Sequence, residues 1–193
     1  SKAITQYLGS LRKRRLLILL PGRIVERKGI MEAVQAIAQI NEVLPADLLL
    51  TGMSSPFSST FARLVLKRAT DLGVADKVII PKKVIPRKLL SIVYSMANVV
   101  ITPSYYEGLG LAAIEALALG KPLVAARVAG LNEIVQNGMN AIVISAKRSS
   151  CPCKRSHKAS SRACIGKTIS CSGTCKRCEI RYEYTCMRTR VHL

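Results

Sequence analysis

Residues 1–150 contain no cysteine, although the whole chain has seven. That absence excludes a disulfide-stabilised scaffold for this part of the chain and fits a reducing compartment. Long apolar runs are missing as well, because the run LLILL at 16–20 is far too short to span a bilayer. We therefore expect a soluble, cytoplasmic protein without a secretory or transmembrane segment.

Acidic residues are scarce: 11 Asp and Glu stand against 30 Lys and Arg, and the formal net charge is +19. Such a charge usually indicates an acidic polymer or a membrane surface as partner. The excess is uneven, because residues 147–193 hold twelve Lys and Arg but only two acids. A second concentration, RKRR at 12–15, has no interleaved aromatic residues and no accompanying motif, so nucleic acid is not an expected partner.

Residues 16–145 alternate between apolar runs and segments with helical spacing. The spacing predicts helices over 30–40, 61–72, 87–97 and 111–119, the last apolar on every side, with a short turn from Asn132 to Gly138. The predicted strands are LLILL (16–20), DLLLT (47–51), KVII (77–80), NVVIT (98–102), PLVAA (122–126) and AIVIS (141–145). Apolar strands alternating with helices indicate a parallel sheet covered on both faces.

This pattern predicts an α/β fold, a doubly wound, six-stranded, Rossmann-like parallel sheet over residues 16–146. In the usual strand order 3-2-1-4-5-6, the chain reverses direction between strands 1 and 4. Ligands then bind outside the carboxyl ends of those two strands. The candidate site therefore comprises the loop after strand 1, residues 21–29, and the loop after strand 4, residues 103–110.

The first loop, PGRIVERKG, places Arg23 and Lys28 five residues apart before a helix N-terminus. Free N–H groups at such a terminus attract anions, and the two cations would suit a diphosphate. A solvated basic loop is the alternative. The loop lacks the G-x-x-x-x-G-K-[ST] pattern of a P-loop.

The second loop, PSYYEGLG, contains Gly108 and Gly110, which permit close approach of the backbone to a ligand. Glu107 lies just before the predicted helix and Glu115 lies within it. A buried carboxylate needs a partner, and the side chains three and four residues from Glu115 offer none. A ribose with two hydroxyls would serve, whereas a backbone amide or a water is the alternative.

These residues resemble a known family. The sequence G-R-x4-K-G at 22–29 and P-S-x2-E-G-x-G-L-x3-E-A-x3-G-x-P at 103–122 are similar to the C-terminal domain of family 4 glycosyltransferases, which have the two-domain GT-B fold. The resemblance covers about residues 16–145, and the E-x7-E spacing of Glu107 and Glu115 is its most specific element. It implies a retaining hexosyltransferase of polysaccharide, lipopolysaccharide or glycolipid synthesis that uses a UDP- or GDP-sugar.

The resemblance also implies a role for each matched position. Arg23 and Lys28 would bind the donor diphosphate and stabilise the leaving nucleotide, an electrostatic form of catalysis. Glu107 would face the transferred sugar as a catalytic residue, and Glu115 would accept the ribose hydroxyls.

The remaining donor-binding positions would be Ser104, the backbone amides of Leu109, Gly110 and Leu111, and, near the base, Val84. The chain has no D-x-D sequence. We therefore expect neither a metal nor a cofactor, because basic residues take the place of a divalent ion.

The family has an N-terminal domain that holds the acceptor, and residues 1–15 have room only for a linker or remnant of it. We therefore expect a donor-binding half that is inactive alone, with a saccharide or lipid-linked acceptor reached through the missing domain and peripheral association with the cytoplasmic face of a membrane left open. The alternatives are a non-enzymatic truncated remnant, a sugar-nucleotide epimerase or a phosphorylase.

Residues 147–193 are basic and hold all seven cysteines, from Cys151 to Cys186. A zinc site around C-x3-C-x2-C at 171–178 and a disulfide cluster are two interpretations. The favoured hypothesis is out-of-frame translation of a disordered tail, because hydrophobic periodicity is absent and family similarity stops where this segment begins.

Overall fold

A computed structural model describes residues 7–8, 14–52, 56–81 and 85–145 of the chain. The chain divides at residue 146 into two units, and only the first, residues 1–146, contains described residues. The hypotheses about residues 147–193 therefore lie outside the described part. In the order of the chain, the strands are β1 (Leu16–Leu20), β2 (Ala46–Leu50), β3 (Val78–Ile79), β4 (Val99–Thr102), β5 (Leu123–Ala126) and β6 (Ile142–Ile144).

The helices alternate with the strands as the sequence predicts. They are α1 (Ile30–Asn41), α2 (Pro56–Asp71), α3 (Arg87–Met96), α4 (Leu111–Ala118) and α5 (Ala129–Asn132), with 3₁₀ turns at Glu26–Lys28 and Ala75–Lys77. Among the described residues, no helix combines the length and the apolar character that crossing a bilayer would require.

The six strands form one parallel sheet in the order β3-β2-β1-β4-β5-β6, which confirms the predicted fold class. β1 lies between β2 and β4, and Ile18 is in register with Val99 of β4. The connection from β3 to β4 therefore carries the chain from one side of β1 to the other. The topological switch point lies between the carboxyl ends of β1 and β4, where the sequence predicts it.

Alternate residues of β1 enter two separate cores, as the pleat of a strand requires. Leu19 packs in a cluster that includes Val93 and Tyr94 of α3 and Ala113 of α4. Ile18 and Leu20 pack in a second cluster with residues of α1 and α2, among them Val34, Ile37, Val65 and Ala69. The helices therefore cover both faces of the sheet and fix the direction in which each strand end meets the site.

Arg15, the last residue of the basic run, has a structural role. Its Nε donates to Asp47 at 2.8 Å, and its Nη2 donates to Asn41 Oδ1 and to the carbonyl of Ala46, both at 2.8 Å. These bonds connect the start of β1 with the end of α1 and the start of β2. At least this charge of the run is therefore used within the fold.

Helix α4 is apolar in composition on every side, as the sequence indicates, but it is not buried on every side. Leu111, Ile114 and Leu119 are 58%, 39% and 42% exposed. Only the face that carries Ala113 and Ala116 packs against the sheet. Apolar composition alone did not reveal what covers each side of the helix.

Several element boundaries also differ from the predictions. α2 starts at Pro56, five residues earlier, because proline suits the first turn of a helix. β3 is only two residues long. α5 ends at Asn132, where the sequence predicted a turn to begin, because fully buried Leu131 anchors the preceding residues in the core.

Candidate functional site

The loops that follow β1 and β4 touch each other at the switch point. Gly29 has φ of 68°, and a β-carbon added there would lie 2.1 Å from the carbonyl oxygen of Pro103. Only glycine accommodates both the left-handed backbone and this approach. The 3₁₀ turn at Glu26–Lys28 ends at this glycine and leads directly into α1. The backbone of the first loop is therefore set against the second.

Lys28 and Glu107, 79 residues apart in the sequence, form a buried ion pair between the two loops. Both residues are 9% exposed. Ser104 is fully buried, and its hydroxyl donates to Glu107 Oε1 at 2.8 Å. A lysine and a serine therefore hold the same carboxylate oxygen. In this conformation the Ser104 hydroxyl supports Glu107 and offers no exposed surface to a ligand.

Hydrogen bonds to backbone carbonyl groups also join the same two loops beside the ion pair. The amide of Tyr105 donates to the carbonyl of Arg27 at 2.9 Å. In the other direction, Arg27 Nη1 donates to the carbonyl of Tyr106 at 3.1 Å and lies 3.8 Å from Glu107 Oε2. The position of Glu107 is therefore determined by several contacts from the first loop.

Tyr105 also connects the second loop to helix α1. Its hydroxyl donates to Oε1 of Glu32, which is 8% exposed. The other carboxylate oxygen of Glu32 is buried and has no hydrogen-bond partner among the described residues. The first turn of α1 therefore bonds to the loop that carries Glu107.

The two predicted diphosphate ligands differ in environment. Arg23 is exposed, and its side chain makes no hydrogen bond or ion pair with the described residues. Lys28 is buried and paired, and its Cε would lie 3.3 Å from a β-carbon added at Gly22. The exposed guanidinium can meet an incoming anion at once, whereas the ammonium must exchange or share its carboxylate partner.

Glu115 is half-buried on α4, and its partner comes from α3. The hydroxyl of Tyr94 donates to Glu115 Oε2 at 2.7 Å and lies 3.4 Å from the carbonyl of Ala112. Burial raises the pKa of Tyr94 far above its usual value, and the hydrogen bond to Glu115 and the charge of that carboxylate raise it further. The tyrosine therefore remains a donor throughout the neutral range.

In the sequence, the N-terminus of α4 lies between Glu107 and Glu115. Gly110 precedes the helix and is buried, whereas Leu109 and Leu111 are 65% and 58% exposed. The first N–H groups of a helix have no acceptor within that helix. The backbone N–H groups of this turn, which are the predicted donors to a ligand, are therefore not used within the helix. The side chains of Leu109 and Leu111 beside them are exposed.

The structure brings Lys28, Glu107 and Ser104 together and places Arg23 in the loop beside them. Glu115 lies eight residues after Glu107, on the helix that follows the second loop. Val84, predicted near the base, lies outside the described residues.

Two tyrosines that donate hydrogen bonds to Glu115 and Glu32 were not predicted from the sequence. Tyr94 lies 21 residues before its partner Glu115, and Tyr105 lies 73 residues after its partner Glu32. Tyr105 stands in the quoted motif and could have been noted as a polar residue of the loop. No local pattern marks Tyr94, which falls on the buried side of α3.

The family model for glycosyl transferases group 1 matches residues 9–150, which include both loops and all six strands. The chain belongs to this family. The match confirms the resemblance that the motifs indicated, and it accounts for the doubly wound sheet with paired loops at the switch point.

Individual relatives agree with that assignment. The chain is 37% identical over 132 residues to a D-inositol 3-phosphate glycosyltransferase of Acidothermus cellulolyticus, covering 66% of this chain and 29% of the relative. A sucrose-phosphate synthase from Thermosynechococcus elongatus superposes with a TM-score of 0.63 at 34% identity, covering 70% of this chain and 33% of that one.

A third similarity concerns the fold alone. The Anabaena protein HepE, solved in complex with UDP and glucose, superposes with a TM-score of 0.61 at 23% identity and covers 68% of this chain and 35% of that one. The group 1 glycosyltransferase chain described here spans less than a third of the length of the curated relatives it matches first.

Proposed function

We propose that this chain binds the nucleotide-sugar donor of a retaining hexosyltransferase. The donor would be a UDP- or GDP-sugar. One observation carries the proposal: Lys28 and Glu107 meet at the carboxyl ends of β1 and β4, beside exposed Arg23 and the N-terminus of α4. Cations, a carboxylate and helix N–H groups at one switch point match the parts of a nucleotide-diphosphate sugar.

Arg23 and Lys28 would bind the diphosphate. The guanidinium offers a planar pair of donors to phosphate oxygens, and the ammonium adds a compact charge. As the bond to the sugar breaks, negative charge grows on the departing diphosphate, and fixed cations stabilise that charge most in the transition state. We propose that neither a metal ion nor a cofactor takes part in stabilising this charge.

Glu107 would face the transferred sugar once the diphosphate has drawn Lys28 away from it. The freed carboxylate then accepts hydrogen bonds from sugar hydroxyls, while Ser104 keeps one of its oxygens in place. The backbone amides at Leu109, Gly110 and Leu111 would meet sugar and phosphate oxygens. Glu115 would accept the ribose hydroxyls, and Val84 would lie near the base.

The acceptor is proposed from the family resemblance as a saccharide or a lipid-linked sugar, in polysaccharide, lipopolysaccharide or glycolipid synthesis. The names of the relatives include a D-inositol 3-phosphate glycosyltransferase and a sucrose-phosphate synthase, and these names refer to different molecules. Such transfer would take place in the cytoplasm or at the cytoplasmic face of a membrane. We propose that this segment alone binds the donor and catalyses little, because transfer requires the acceptor to be held close as well.

Titration calorimetry on the full chain with UDP, GDP, UDP-glucose and GDP-mannose tests this function. We expect Arg23→Ala to weaken binding of the preferred ligand by about 10- to 100-fold, because it removes a charge-assisted contact worth about 1.5–3 kcal/mol. The thermal midpoint should not change, since the Arg23 side chain has no partner among the described residues.

Arg63→Ala is the matched control, because Arg63 is an exposed arginine on α2 and belongs to neither loop. It removes the same charge and should leave the affinity unchanged. If no nucleotide binds, or if the two variants lose affinity equally, the proposal is wrong. The second result would favour an enzymatically inert chain of net charge +19 that attracts anions without a site.

A further inference from the structure

Tyr94 is a buried residue of α3 to which neither the motifs nor the comparisons give a role. It is 1% exposed and packs within the core cluster that lies on the α3 and α4 side of the sheet. Its hydroxyl donates to Oε2 of Glu115 at 2.7 Å. The other oxygen of that carboxylate makes no hydrogen bond with the described residues. One oxygen is therefore fixed from within the protein and the other is available.

We propose that Tyr94 is a positioning residue that fixes the Glu115 carboxylate so that Oε1 accepts the ribose hydroxyls of a bound nucleotide. The inference rests on the proposed function, and it deepens that function by assigning the source of ribose selectivity. It also revises the expected geometry, because Glu115 has one oxygen for the ribose and not two.

The physical reason is the difference in mobility between the two side chains. A half-exposed glutamate has three rotatable bonds and loses entropy when a ligand holds it. A tyrosine packed in the core has two, and its packing already holds them. A hydrogen bond from this rigid donor therefore orders the carboxylate before the ligand arrives, which improves affinity by preorganisation.

The protonation of Tyr94 determines which groups the Glu115 carboxylate can bind. Because burial and the neighbouring carboxylate keep the Tyr94 hydroxyl protonated, Glu115 remains the acceptor in their hydrogen bond. An ionised carboxylate only accepts, so the group that meets Oε1 must be a donor. A ribose hydroxyl is such a donor, and the hydrogen that replaces it in a deoxy sugar is not.

The test compares UDP with 2′,3′-dideoxy-UDP by titration calorimetry on the full chain; GDP and its dideoxy analogue replace them if GDP binds more tightly. We expect the unmodified chain to bind UDP about 10-fold more tightly than the analogue, the effect of one hydrogen bond to a charged acceptor. Tyr94→Phe should reduce that ratio to about 2-fold or less, mainly by weakening UDP.

Tyr7→Phe is the control variant. Tyr7 packs against the same core cluster but lies outside both loops and α4, so its ratio should equal that of the unmodified chain. A purely structural role for Tyr94 would weaken both ligands together and leave the ratio unchanged, which would overturn the inference.

The results separate a failure of the proposed donor-binding function from a failure of the role proposed for Tyr94. If the unmodified chain binds neither ligand, the proposed function fails and the inference fails with it. If it binds both ligands equally, Glu115 does not read the ribose and the inference is again wrong. If it prefers UDP and Tyr94→Phe keeps that preference, the inference alone is wrong.

A second measurement applies if Tyr94→Phe does not fold. The chain has six tyrosines, so labelling each at Cζ with ¹³C gives a countable NMR spectrum, in which the Tyr94 signal is the one that Glu115→Gln displaces. UDP should shift this signal and the dideoxy analogue should shift it much less. A Tyr94 signal that stays fixed while UDP binds would overturn the inference.

Discussion

At the scale of single residues, the buried pair of Lys28 and Glu107 joins the two loops of the proposed donor site. Each charge has lost most of its contact with water, and each depends on the other for compensation. If a diphosphate binds Lys28 as proposed, Glu107 keeps its hydrogen bond from Ser104 and can accept others from the hydroxyls of the sugar.

Removing one member of this pair should destabilise the fold. We expect Lys28→Met to lower the free energy of unfolding by about 3 kcal/mol, because it removes the cation in direct contact with the buried Glu107 carboxylate and leaves Arg27 at 3.8 Å. The double variant Lys28→Met/Glu107→Leu should be more stable than the lysine variant alone, since no buried charge remains. Urea unfolding of the four proteins in the cycle measures the coupling. Effects that simply add in the double variant would show that the pair is not energetically linked.

At the scale of elements, the short helix α5 supports the loop that carries Glu107. A β-carbon added at Gly130 would lie 2.0 Å from the carbonyl oxygen of Glu107 and 2.3 Å from that of Gly108. No side chain fits between two segments at this separation. The position of the loop that carries Glu107 is therefore set by contacts with the first loop and with α5.

Gly130→Ala should force these segments apart. We expect a loss of about 1–3 kcal/mol in the free energy of unfolding, the usual cost of overpacking, together with weaker binding of a nucleotide sugar. Gly108→Ala is the control for stability, because a β-carbon there meets nothing within 4 Å among the described residues. Urea unfolding compares the two variants. Equal stability of both would contradict the close packing of α5 against the loop.

Most of the architecture at this scale could be predicted from the alternation of apolar runs and helical spacing. The sheet order and the switch point followed, because parallel strands with crossover helices allow few arrangements. The exposed face of α4 could not be predicted, because composition does not identify what covers a helix. The bond between Tyr94 and Glu115 could not be predicted either, since the packing of α3 beside α4 brings them together and no local pattern records it.

The two loops at the switch point were also predicted only in part. The sequence predicted that Lys28 and Glu107 lie in neighbouring loops with separate ligands. It did not predict that they pair with each other, because the two loops lie far apart in the sequence. The pair and the hydrogen bond from Arg27 to the second loop depend on how closely the two loops approach at Gly29, which no local pattern records.

At the scale of the whole molecule, the chain corresponds to one part of a larger architecture. It spans less than a third of its first curated relatives, and both loops at the switch point lie within that third. Apart from Val84, the residues of the proposed donor site lie within the described part of the chain, while transfer itself is proposed for a longer protein. The net charge of +19 is a separate property of the chain, and it predicts salt-sensitive attraction of anions in addition to any specific site.

We propose that a nucleotide-diphosphate sugar binds between the loops after β1 and β4. The most direct test is NMR of the ¹⁵N-labelled full chain during a titration with UDP-glucose at two salt concentrations. We expect the amide signals of residues 21–29 and 103–115 to shift most, and their shifts to saturate with added UDP-glucose at both salt concentrations. Shifts concentrated in residues 147–193, or shifts that disappear at the higher salt concentration, would contradict it.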